Sequence, residues 1–309
     1  MKKILLLGAN GQVGTELQHA LAPIGDLRAT TRSGVLADGT ACVRADLADA
    51  ASLRAALAEA DADVIVNAAA YTAVDRAEDD AELADRINHV ALGEIGAWAA
   101  ARGALVVHYS TDYVFDGTST RPYREDDATA PLGVYGRSKL AGEDALRASR
   151  ARHLIFRTAW VYAAHGQNFL RTMLRLAGER DELRVVSDQI GAPTSARAIA
   201  DATVMAIEQT LADARLDGTY HLVAGGQCSW FDFASAIVQG AAQRGLIARA
   251  PRMTPIATAD YPTRARRPAY SVLDCTRLDR AFGLELAGWR AGLAEVLNEI
   301  AAAAANPAR

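Results

Sequence analysis

The chain has 309 residues, 50% of them hydrophobic, which is enough for two domains or for one large domain with a sizeable core. Its 33 basic and 37 acidic residues are interspersed and leave a net charge of −4, so nucleic acid and anionic membrane surfaces are not expected partners. The three cysteines lie far apart, which favours free thiols in a reducing cytoplasm over disulfides or a metal cluster.

The N-terminal segment briefly imitates a signal peptide, because two lysines precede a short apolar run. The run stops at Gly8, before it reaches the length that such a segment needs, and no other run approaches the ~18 apolar residues of a membrane-spanning helix. A cytoplasmic protein is therefore expected.

The first unit of the chain is predicted to be a strand, a glycine-rich turn and a helix. Residues 3–7 form an apolar run, and a helical pattern over residues 15–22 follows Gly8, Gly11 and Gly14. Glycines at this spacing let backbone N–H groups and a helix N-terminus approach a pyrophosphate. The alternative is a tight turn that needs glycine for backbone reasons only. The position directly after the first strand favours phosphate binding.

The second predicted strand, residues 27–31, ends at Thr31, Arg32 and Ser33. In dinucleotide-binding folds, an acidic residue near this point holds the ribose hydroxyl groups, whereas an arginine accommodates a 2′-phosphate. No acid stands here, so Arg32 is a candidate ligand of a 2′-phosphate. A solvated loop cation is the alternative interpretation of Arg32.

Strands and helices continue to alternate through the first half of the chain. Strands are predicted at residues 41–45, 63–70 and 104–110, and helices at residues 50–60 and 85–102. This alternation predicts an α/β fold with a doubly wound, Rossmann-like parallel sheet, whose ligand lies beyond the carboxyl ends of the strands. Ala68, Ala69 and Ala70 end one such strand, where small residues either admit a flat cofactor or pack tightly in the core.

Polar residues after the next strand are candidates for catalysis. Thr111 and Asp112 follow that strand, and a helix over residues 135–149 would place Tyr135 and Lys139 on one face. A nearby ammonium group lowers the pKa of a phenol, which would make Tyr135 a proton donor. Thr111 could then bind a substrate carbonyl group, and Asp112 a sugar hydroxyl group or the loop backbone. The alternatives are a solvated helix face, a threonine that caps the strand end and an ordinary turn acid.

The second half of the chain is less regular. A strand at residues 153–162 contains Trp160, which either shapes a ligand pocket or belongs to the core. Helices are predicted at residues 167–180, 196–212, 230–244 and 288–305, and strands at residues 183–187 and 218–223, with fraying from residue 306. We predict a dinucleotide-binding domain over residues 1–165, to which the chain returns near residues 183–216, and a smaller C-terminal substrate-binding lobe, mainly residues 166–309.

A basic loop at residues 259–268 lies within the predicted lobe. It contains Arg264, Arg266 and Arg267, three arginines in four residues, which suit an anionic ligand such as a diphosphate. A solvated loop is an equally good interpretation.

Several long motifs, in order along the chain, resemble a known family. They are GANGQVG at residues 8–14, NAAAYTAVD at 67–75, HYSTDYVFD at 108–116, VYGRSKLAGE at 134–143, DQIGAPT at 188–194 and YPTRARRP at 261–268. Together they resemble the extended short-chain dehydrogenases/reductases and, among these, the dTDP-4-dehydrorhamnose reductase family, over nearly the whole chain. That family uses NAD(P)H to reduce the C4 keto group of dTDP-4-dehydro-β-L-rhamnose to dTDP-β-L-rhamnose, the last step of dTDP-rhamnose biosynthesis.

The resemblance implies roles for matching positions. Tyr135 would be the general acid, Lys139 its electrostatic partner and a ligand of the nicotinamide ribose, and Thr111 would orient the carbonyl group. The positions that match the cofactor groove are Gly11, Gln12, Val13, Asp46, Leu47, Ala70, Tyr71 and Thr72. Gly8, Gly14, Arg32, Ala68 and Ala69 are cofactor-binding candidates from the patterns described above. Asp112 and Trp160 match positions near the sugar. Asn168 and either Arg266 or Arg267 match positions near the nucleotide diphosphate.

The expected cofactor is NADPH, because Arg32 and Ser33 suit a 2′-phosphate, with NADH also accepted through the contacts that both cofactors share. Some relatives hold Mg²⁺ between carboxylates at a dimer interface. Glu16 and Glu299 match two such positions, but Arg197 stands where a third acid would be, so no metal ligand is predicted. The substrate is expected to be a dTDP-sugar, and a homodimer is compatible with the resemblance.

Two other functions remain open at this point. A catalytically silent relative would keep the fold as a dinucleotide-binding regulatory subunit, but it need not keep Tyr135, Lys139 and a hydroxyl group at residue 111 together. A reductase of another 4-keto nucleotide-sugar would differ in its substrate only.

Overall fold

The computed structural model describes residues 1–305. The strands are β1 (Lys2–Leu7), β2 (Gly25–Thr31), β3 (Val43–Arg44), β4 (Val64–Asn67), β5 (Leu105–Thr111), β6 (Arg152–Thr158), β7 (Val161–Tyr162), β8 (Glu182–Val186), β9 (Ile190–Gly191), β10 (Thr194–Ser195), β11 (Gly218–His221), β12 (Cys228–Ser229) and β13 (Arg252–Ile256). The α-helices are α1 (Gln12–Leu21), α2 (Ala50–Ala60), α3 (Val74–Ala77), α4 (Ala81–Asp85), α5 (Ala91–Ala100), α6 (Val134–Ala148), α7 (Phe169–Glu179), α8 (Ala196–Ala212), α9 (Trp230–Gln243), α10 (Thr276–Phe282) and α11 (Trp289–Ala305). Residues 306–309, where fraying is expected, lie outside the described residues.

Seven strands form one parallel sheet in the order β11-β6-β5-β4-β1-β2-β3. The chain starts at β1 in the interior, winds outward to β3, returns to β4 beside β1 and then continues to β11 at the opposite edge. All seven carboxyl ends therefore meet at one edge of the sheet, with the switch of direction between β1 and β4. The predicted α/β class with a doubly wound parallel sheet is confirmed.

Both faces of the sheet are covered, as a parallel sheet requires. Strand β1 shows this directly, because Ile4 and Leu6 face a core that includes α1, α8 and α10, whereas Leu5 and Leu7 face a core that includes α2 and α5. Alternate side chains of a strand point to opposite faces, so the fully apolar run of β1 reflects burial on both sides.

The remaining elements form a second core beyond the carboxyl ends of the sheet. Helices α7, α9 and α11 pack around strand β8, which pairs with β13 in a two-stranded parallel sheet of its own. The predicted strand at residues 183–187 therefore does not return to the central sheet. The return is made by α8, which packs against α1, and by β11. Strand β13 and helix α10 were not predicted from the sequence.

The predicted strand at residues 153–162 is divided at Trp160, which has a φ of +49°. Strand β6 ends at Thr158, and β7 pairs with β10 instead of continuing in the sheet. The Trp160 ring stacks on Trp230, with ring centroids 3.6 Å apart, so the aromatic contact lies where the chain turns away from the sheet.

The predicted helix at residues 85–102 begins earlier, with α4, and passes through a π-helical turn at Arg86–Val90 before α5. No helix within residues 1–305 combines the length and the apolar character that crossing a membrane requires.

Candidate active site

A cavity of about 630 Å³ lies at the carboxyl ends of the sheet strands. It contains most of the positions that the sequence motifs match to a cofactor groove, namely Gly8, Gly11, Gln12, Val13, Arg32, Asp46, Leu47, Ala68, Ala69, Ala70, Thr72, Tyr135 and Lys139. Further lining residues that were not proposed as ligands are Asn10, Asn67, Ile87, Tyr109, Thr158, Val161, Gly166 and Gln167. Gly166 and Gln167 lie between β7 and α7, and no local sequence signal marks them.

The glycine-rich turn is shaped by close backbone approach. Gly8 has a φ of +83°, and a Cβ atom there would meet the Ala69 backbone nitrogen at 2.7 Å. Gly14 does not line the cavity, because it lies where a Cβ atom would overlap the carbonyl oxygen of Gly8. It therefore lets α1 start directly against the turn. The N-terminal end of α1 faces the cavity through Gln12 and Val13, as an anion-binding helix terminus requires.

The alanine segment after β4 lines the cavity. It also packs tightly, since Ala69 lies directly against Gly8. Tyr71 does not line the cavity. Its backbone N–H donates to Asn88 Oδ1 at 2.9 Å, and its hydroxyl group donates to Asp80 at 2.9 Å. Asn88 Nδ2 in turn donates to the Tyr71 carbonyl oxygen at 3.1 Å and to Ser138 Oγ at 3.0 Å. Asn88, which sequence reasoning missed, thus fixes the alanine segment to helix α6.

The end of the cavity next to the carboxyl end of β2 carries a positive charge, that of Arg32. Arg32 lines it together with Thr31 and Ser33, and its side chain makes no hydrogen bond within residues 1–305. Arg44 on β3 donates from Nε to the Arg32 carbonyl oxygen at 3.3 Å, so its guanidinium group lies beside the Arg32 backbone. No carboxylate occupies the end of β2.

Helix α6 carries the two candidate catalytic side chains. Tyr135 and Lys139 both line the cavity, where Tyr135 is partly buried and Lys139 is buried. Burial raises the pKa of Tyr135 to about 12, a hydrogen bond with the Thr111 hydroxyl group opposes this shift, and the charge of Asp112 adds to it. The expected depression of the tyrosine pKa is therefore absent in the ligand-free protein, and Tyr135 is protonated at neutral pH. A protonated phenol is the form that a proton donor needs.

The Lys139 side chain contacts two residues of strand β5. Its Nζ atom donates to the Tyr109 carbonyl oxygen at 2.6 Å and lies 3.0 Å from His108 Nε2. Burial lowers the pKa of Lys139 to about 7, and the charge of Glu143 opposes this shift. Burial and then the charge of Lys139 lower the pKa of His108 well below its usual range, so His108 is neutral. His108 was not singled out from the sequence.

Thr111 and Asp112 lie behind Tyr135 and do not line the cavity. Thr111 Oγ1 donates to Asp112 Oδ1 at 3.0 Å and accepts from the Tyr113 backbone N–H at 3.2 Å. Burial raises the pKa of Asp112 to about 6, and the nearby hydroxyl groups of Ser271 and Thr111 oppose this shift. Asp112 Oδ2 has no hydrogen-bond partner among the described residues, although it is buried. A buried oxygen without a partner is an acceptor available to a ligand hydroxyl group.

The cavity also contains buried polar atoms that lack partners within residues 1–305. They are Gln12 Oε1, Ser110 Oγ and Thr158 Oγ1, all on residues that line the cavity. Together with the glycine turn and the free Arg32, these atoms suit a long polar ligand that carries phosphate, hydroxyl and amide groups. The residues present therefore fit a nicotinamide dinucleotide.

Two of the predicted substrate residues have structural contacts in this protein. Trp160 stacks on Trp230, and neither residue lines the cavity. Asn168 caps α7, because its Oδ1 accepts from the Arg171 backbone N–H at 3.0 Å and its Nδ2 donates to two loop carbonyl oxygens.

Two arginines of the basic loop form ion pairs with acidic residues in and just after helix α3. Arg267 makes a bidentate pair with Asp75 at 2.7 and 3.2 Å, and Arg264 pairs with Asp79. Arg266 is exposed and forms no ion pair within the described residues. It lies beside Tyr113 and Tyr135 in a small pocket. Arg266 is therefore the arginine of this loop that is free to meet an anion.

The candidate metal position contains a guanidinium group. Carboxylate and imidazole atoms of Glu16, His165 and Glu299 lie within 4.8 Å of one another. Arg197 lies among them, with Nε 3.3 Å from Glu16 and Nη2 3.0 Å from Glu299. A positive side chain already pairs with both acids and would repel a cation, so these residues do not fit a divalent cation.

Comparisons with known proteins show the family of this chain. A family model described as "RmlD substrate binding domain" matches residues 1–302. The chain is 49% identical to dTDP-4-dehydrorhamnose reductase of Burkholderia thailandensis over 93% of its length and 95% of that protein. It is 46% identical to the Escherichia coli K12 enzyme of the same name over 96% of its length and 97% of that protein.

Solved structures give the same relationship. A dTDP-4-dehydrorhamnose reductase of Bacillus anthracis, in complex with NADP, matches with a TM-score of 0.85 and 33% identity, over 97% of this chain and all of that one. The orthologue of Clostridium acetobutylicum matches with a TM-score of 0.85 and 34% identity, over 96% and 99% of the two chains. The motif resemblance is thereby confirmed, and the chain belongs to the dTDP-4-dehydrorhamnose reductase family.

Proposed function

We propose that this protein reduces the C4 keto group of dTDP-4-dehydro-β-L-rhamnose to dTDP-β-L-rhamnose with NADPH. The observation that carries the proposal is the position of Tyr135 and Lys139, which line the same cavity as the glycine turn and Arg32. The names of the full-length relatives agree with this activity. The three free cysteines fit the reducing cytoplasm, where nucleotide-sugars are made.

The side chains divide the work of the reaction. NADPH, when bound, supplies the hydride for the carbonyl carbon. The Tyr135 hydroxyl group, protonated at neutral pH, donates its proton to the developing alkoxide, a contribution of typically 10²- to 10⁴-fold. Lys139, when charged, stabilises the resulting phenolate and holds the nicotinamide ribose. Thr111 holds the Tyr135 hydroxyl group, and the free oxygen of Asp112 accepts a sugar hydroxyl group.

The direct test is loss of NADPH absorbance on incubation with a panel of 4-keto nucleotide-sugars, followed by assignment of the C4 configuration of the product. Turnover that is fastest with dTDP-4-dehydro-β-L-rhamnose supports the proposal. Faster turnover of another nucleotide-sugar would replace the substrate but keep the chemistry. NADPH binding with no turnover of any 4-keto sugar would favour a silent regulatory subunit.

The basic loop gives a prediction about substrate affinity. Replacing Arg266 with alanine should raise the KM for the nucleotide-sugar about tenfold or more, because a charge-assisted hydrogen bond contributes about 1.5–3 kcal/mol, and should leave the KM for NADPH unchanged. Arg264→Ala is the matched control, since Arg264 is paired with Asp79 and exposed. An Arg266→Ala variant with equal changes in both KM values would make the loop structural.

The guanidinium group at the carboxylate cluster gives a prediction about metal. We expect that neither EDTA nor millimolar Mg²⁺ changes the Tm or the turnover of the wild-type protein, because Arg197 already bridges Glu16 and Glu299. Arg197→Glu should lower the Tm, and Mg²⁺ should raise that Tm again by mass action. The rise should be larger than in Arg197→Gln, which also lacks the cation but adds no third carboxylate. A Mg²⁺-dependent rise in the wild-type Tm would contradict this assignment.

A further inference from the structure

A buried chain of hydrogen bonds lies behind the catalytic helix. Lys139 Nζ is 3.0 Å from His108 Nε2 and 2.6 Å from the Tyr109 carbonyl oxygen. On the other side of the imidazole ring, His108 Nδ1 is 3.2 Å from Asn67 Nδ2. Asn67, His108 and Lys139 are each only 1% exposed. The protons in these hydrogen bonds can therefore be assigned from the protein groups alone.

The orientation of the Asn67 amide decides where they lie. Asn67 Oδ1 accepts from the Ala69 backbone N–H at 3.2 Å, so the NH₂ group must face His108. His108 Nδ1 is then an acceptor, and the proton of the neutral ring lies on Nε2. That Nε2–H points at Lys139 Nζ. An ammonium group there would place two donors against each other, whereas an amine has a lone pair to accept.

We propose that His108 is a positioning residue, which holds Lys139 as an uncharged amine in the cofactor-free protein by donating from Nε2–H to Lys139 Nζ. Of the two N–H groups that remain on Lys139, one donates to the Tyr109 carbonyl oxygen and the other is available to a cofactor in the cavity. Charging Lys139 requires His108 to move its proton to Nδ1 and Asn67 to turn its amide. The charge that supports Tyr135 thus depends on a residue outside the cavity.

The other ionisable groups around Lys139 do not remove this constraint. Tyr135 stands one turn earlier on α6 and is protonated. Glu143 stands one turn later and raises the pKa of Lys139, but its carboxylate is already paired with Arg157 at 2.7 and 3.0 Å and with Arg147 at 3.1 Å. The Tyr109 hydroxyl group is directed away, to Thr203. The lowered pKa of Lys139, about 7, agrees with an amine that gains its proton near neutral pH.

The tautomer can be tested on the wild-type protein, whatever substrate it takes. Long-range ¹H–¹⁵N spectra of the imidazole rings should show His108 with a proton on Nε2 only at pH 8, above the Lys139 pKa of about 7, and the proton should move to Nδ1 as Lys139 gains its charge at lower pH. His108→Gln assigns the signals. If that variant does not fold, replacing the other five of the six histidines in turn assigns them by elimination. An Nδ1–H tautomer or an imidazolium at pH 8, or an Nε2–H tautomer that persists after Lys139 is charged, would overturn the proposal.

The second measurement rests on the proposed function. The charged form of Lys139 supports catalysis, so kcat/KM should be highest below the lysine pKa and should fall as the pH rises through about 7. NADH is the reductant of choice here, because the 2′-phosphate of NADPH itself titrates near pH 6. In His108→Gln, the side-chain carbonyl oxygen can accept from an ammonium group. The fall in kcat/KM should therefore move to higher pH by about one unit in this variant.

His221→Gln is the matched control, because His221 is a second buried histidine of the same sheet and contacts the Asp274 carbonyl oxygen instead of Lys139. In His221→Gln, kcat/KM should fall at the same pH as in the wild type. If kcat/KM fell at the wild-type pH in His108→Gln, or if that pH shifted equally in both variants, His108 would have a packing role only. Absence of any turnover would overturn the proposed function, while the tautomer measurement would still decide the role of His108.

Discussion

Replacing Tyr135 with phenylalanine should lower kcat by at least about a hundredfold, while the affinity for NADPH stays close to that of the wild type. The substitution removes only the hydroxyl group, and this is the proton donor of the proposed reaction. The ring remains to pack against Tyr113, whose centroid lies 5.8 Å away in an edge-to-face arrangement. Steady-state turnover and NADPH titration by fluorescence separate the two quantities.

Tyr113→Phe is the matched control, because it removes a phenolic hydroxyl group from the neighbouring ring. It should leave kcat within a few-fold of the wild type. If Tyr135→Phe kept wild-type turnover, or if the two variants lost the same activity, the proton donor would have to be sought elsewhere, with the buried carboxyl group of Asp112 as the next candidate.

Replacing Arg32 with alanine should remove most of the preference for NADPH over NADH. The wild-type protein should prefer NADPH very roughly ten- to a hundredfold in kcat/KM, because a charge-assisted hydrogen bond to the 2′-phosphate contributes about 1.5–3 kcal/mol. Arg32 has the position and the free guanidinium group for this contact, since it lines the cavity beside Ser33 and makes no side-chain hydrogen bond within residues 1–305. Activity with NADH should change little.

Arg28→Ala is the control for a general loss of positive charge. Arg28 lies on β2, which ends just before Arg32, but its side chain donates to the Glu59 carbonyl oxygen and does not line the cavity. This variant should keep the wild-type cofactor preference. A wild-type protein without such a preference, or an Arg32→Ala variant that keeps it in full, would make Arg32 a solvated cation. Arg44→Ala would then test the second guanidinium group near this corner.

The local pattern of the sequence determined the sheet and the cofactor end of the site. Short apolar runs that alternate with helical patterns permit only a few arrangements, and a parallel sheet with helices on both faces buries them all. The spacing of Gly8, Gly11 and Gly14 and the separation of Tyr135 from Lys139 are likewise local. Four residues of an α-helix place two side chains on one face, whatever the rest of the chain does. These features were therefore predictable.

Tertiary structure decided what depends on residues far apart in the chain. His108 meets Lys139 across 31 positions, Asn88 meets Ser138 across 50, and Arg267 meets Asp75 across 192. No periodicity marks such pairs, because each forms only when two separately packed elements are brought together. The turn at Trp160 and the pairing of β8 with β13 have the same origin, since Trp160 stacks on a ring 70 residues later and β8 needs a partner strand.

The pKa values of the site were also set by tertiary structure, and here local reasoning gave the wrong sign. A lysine one turn from a tyrosine predicts a lowered tyrosine pKa, but the pKa of Tyr135 rises to about 12 and that of Lys139 falls to about 7. Burial between α6 and β5 disfavours both charged forms in the ligand-free protein. Sequence thus determined that Tyr135 and Lys139 share one helix face, whereas packing determined which of them carries a proton.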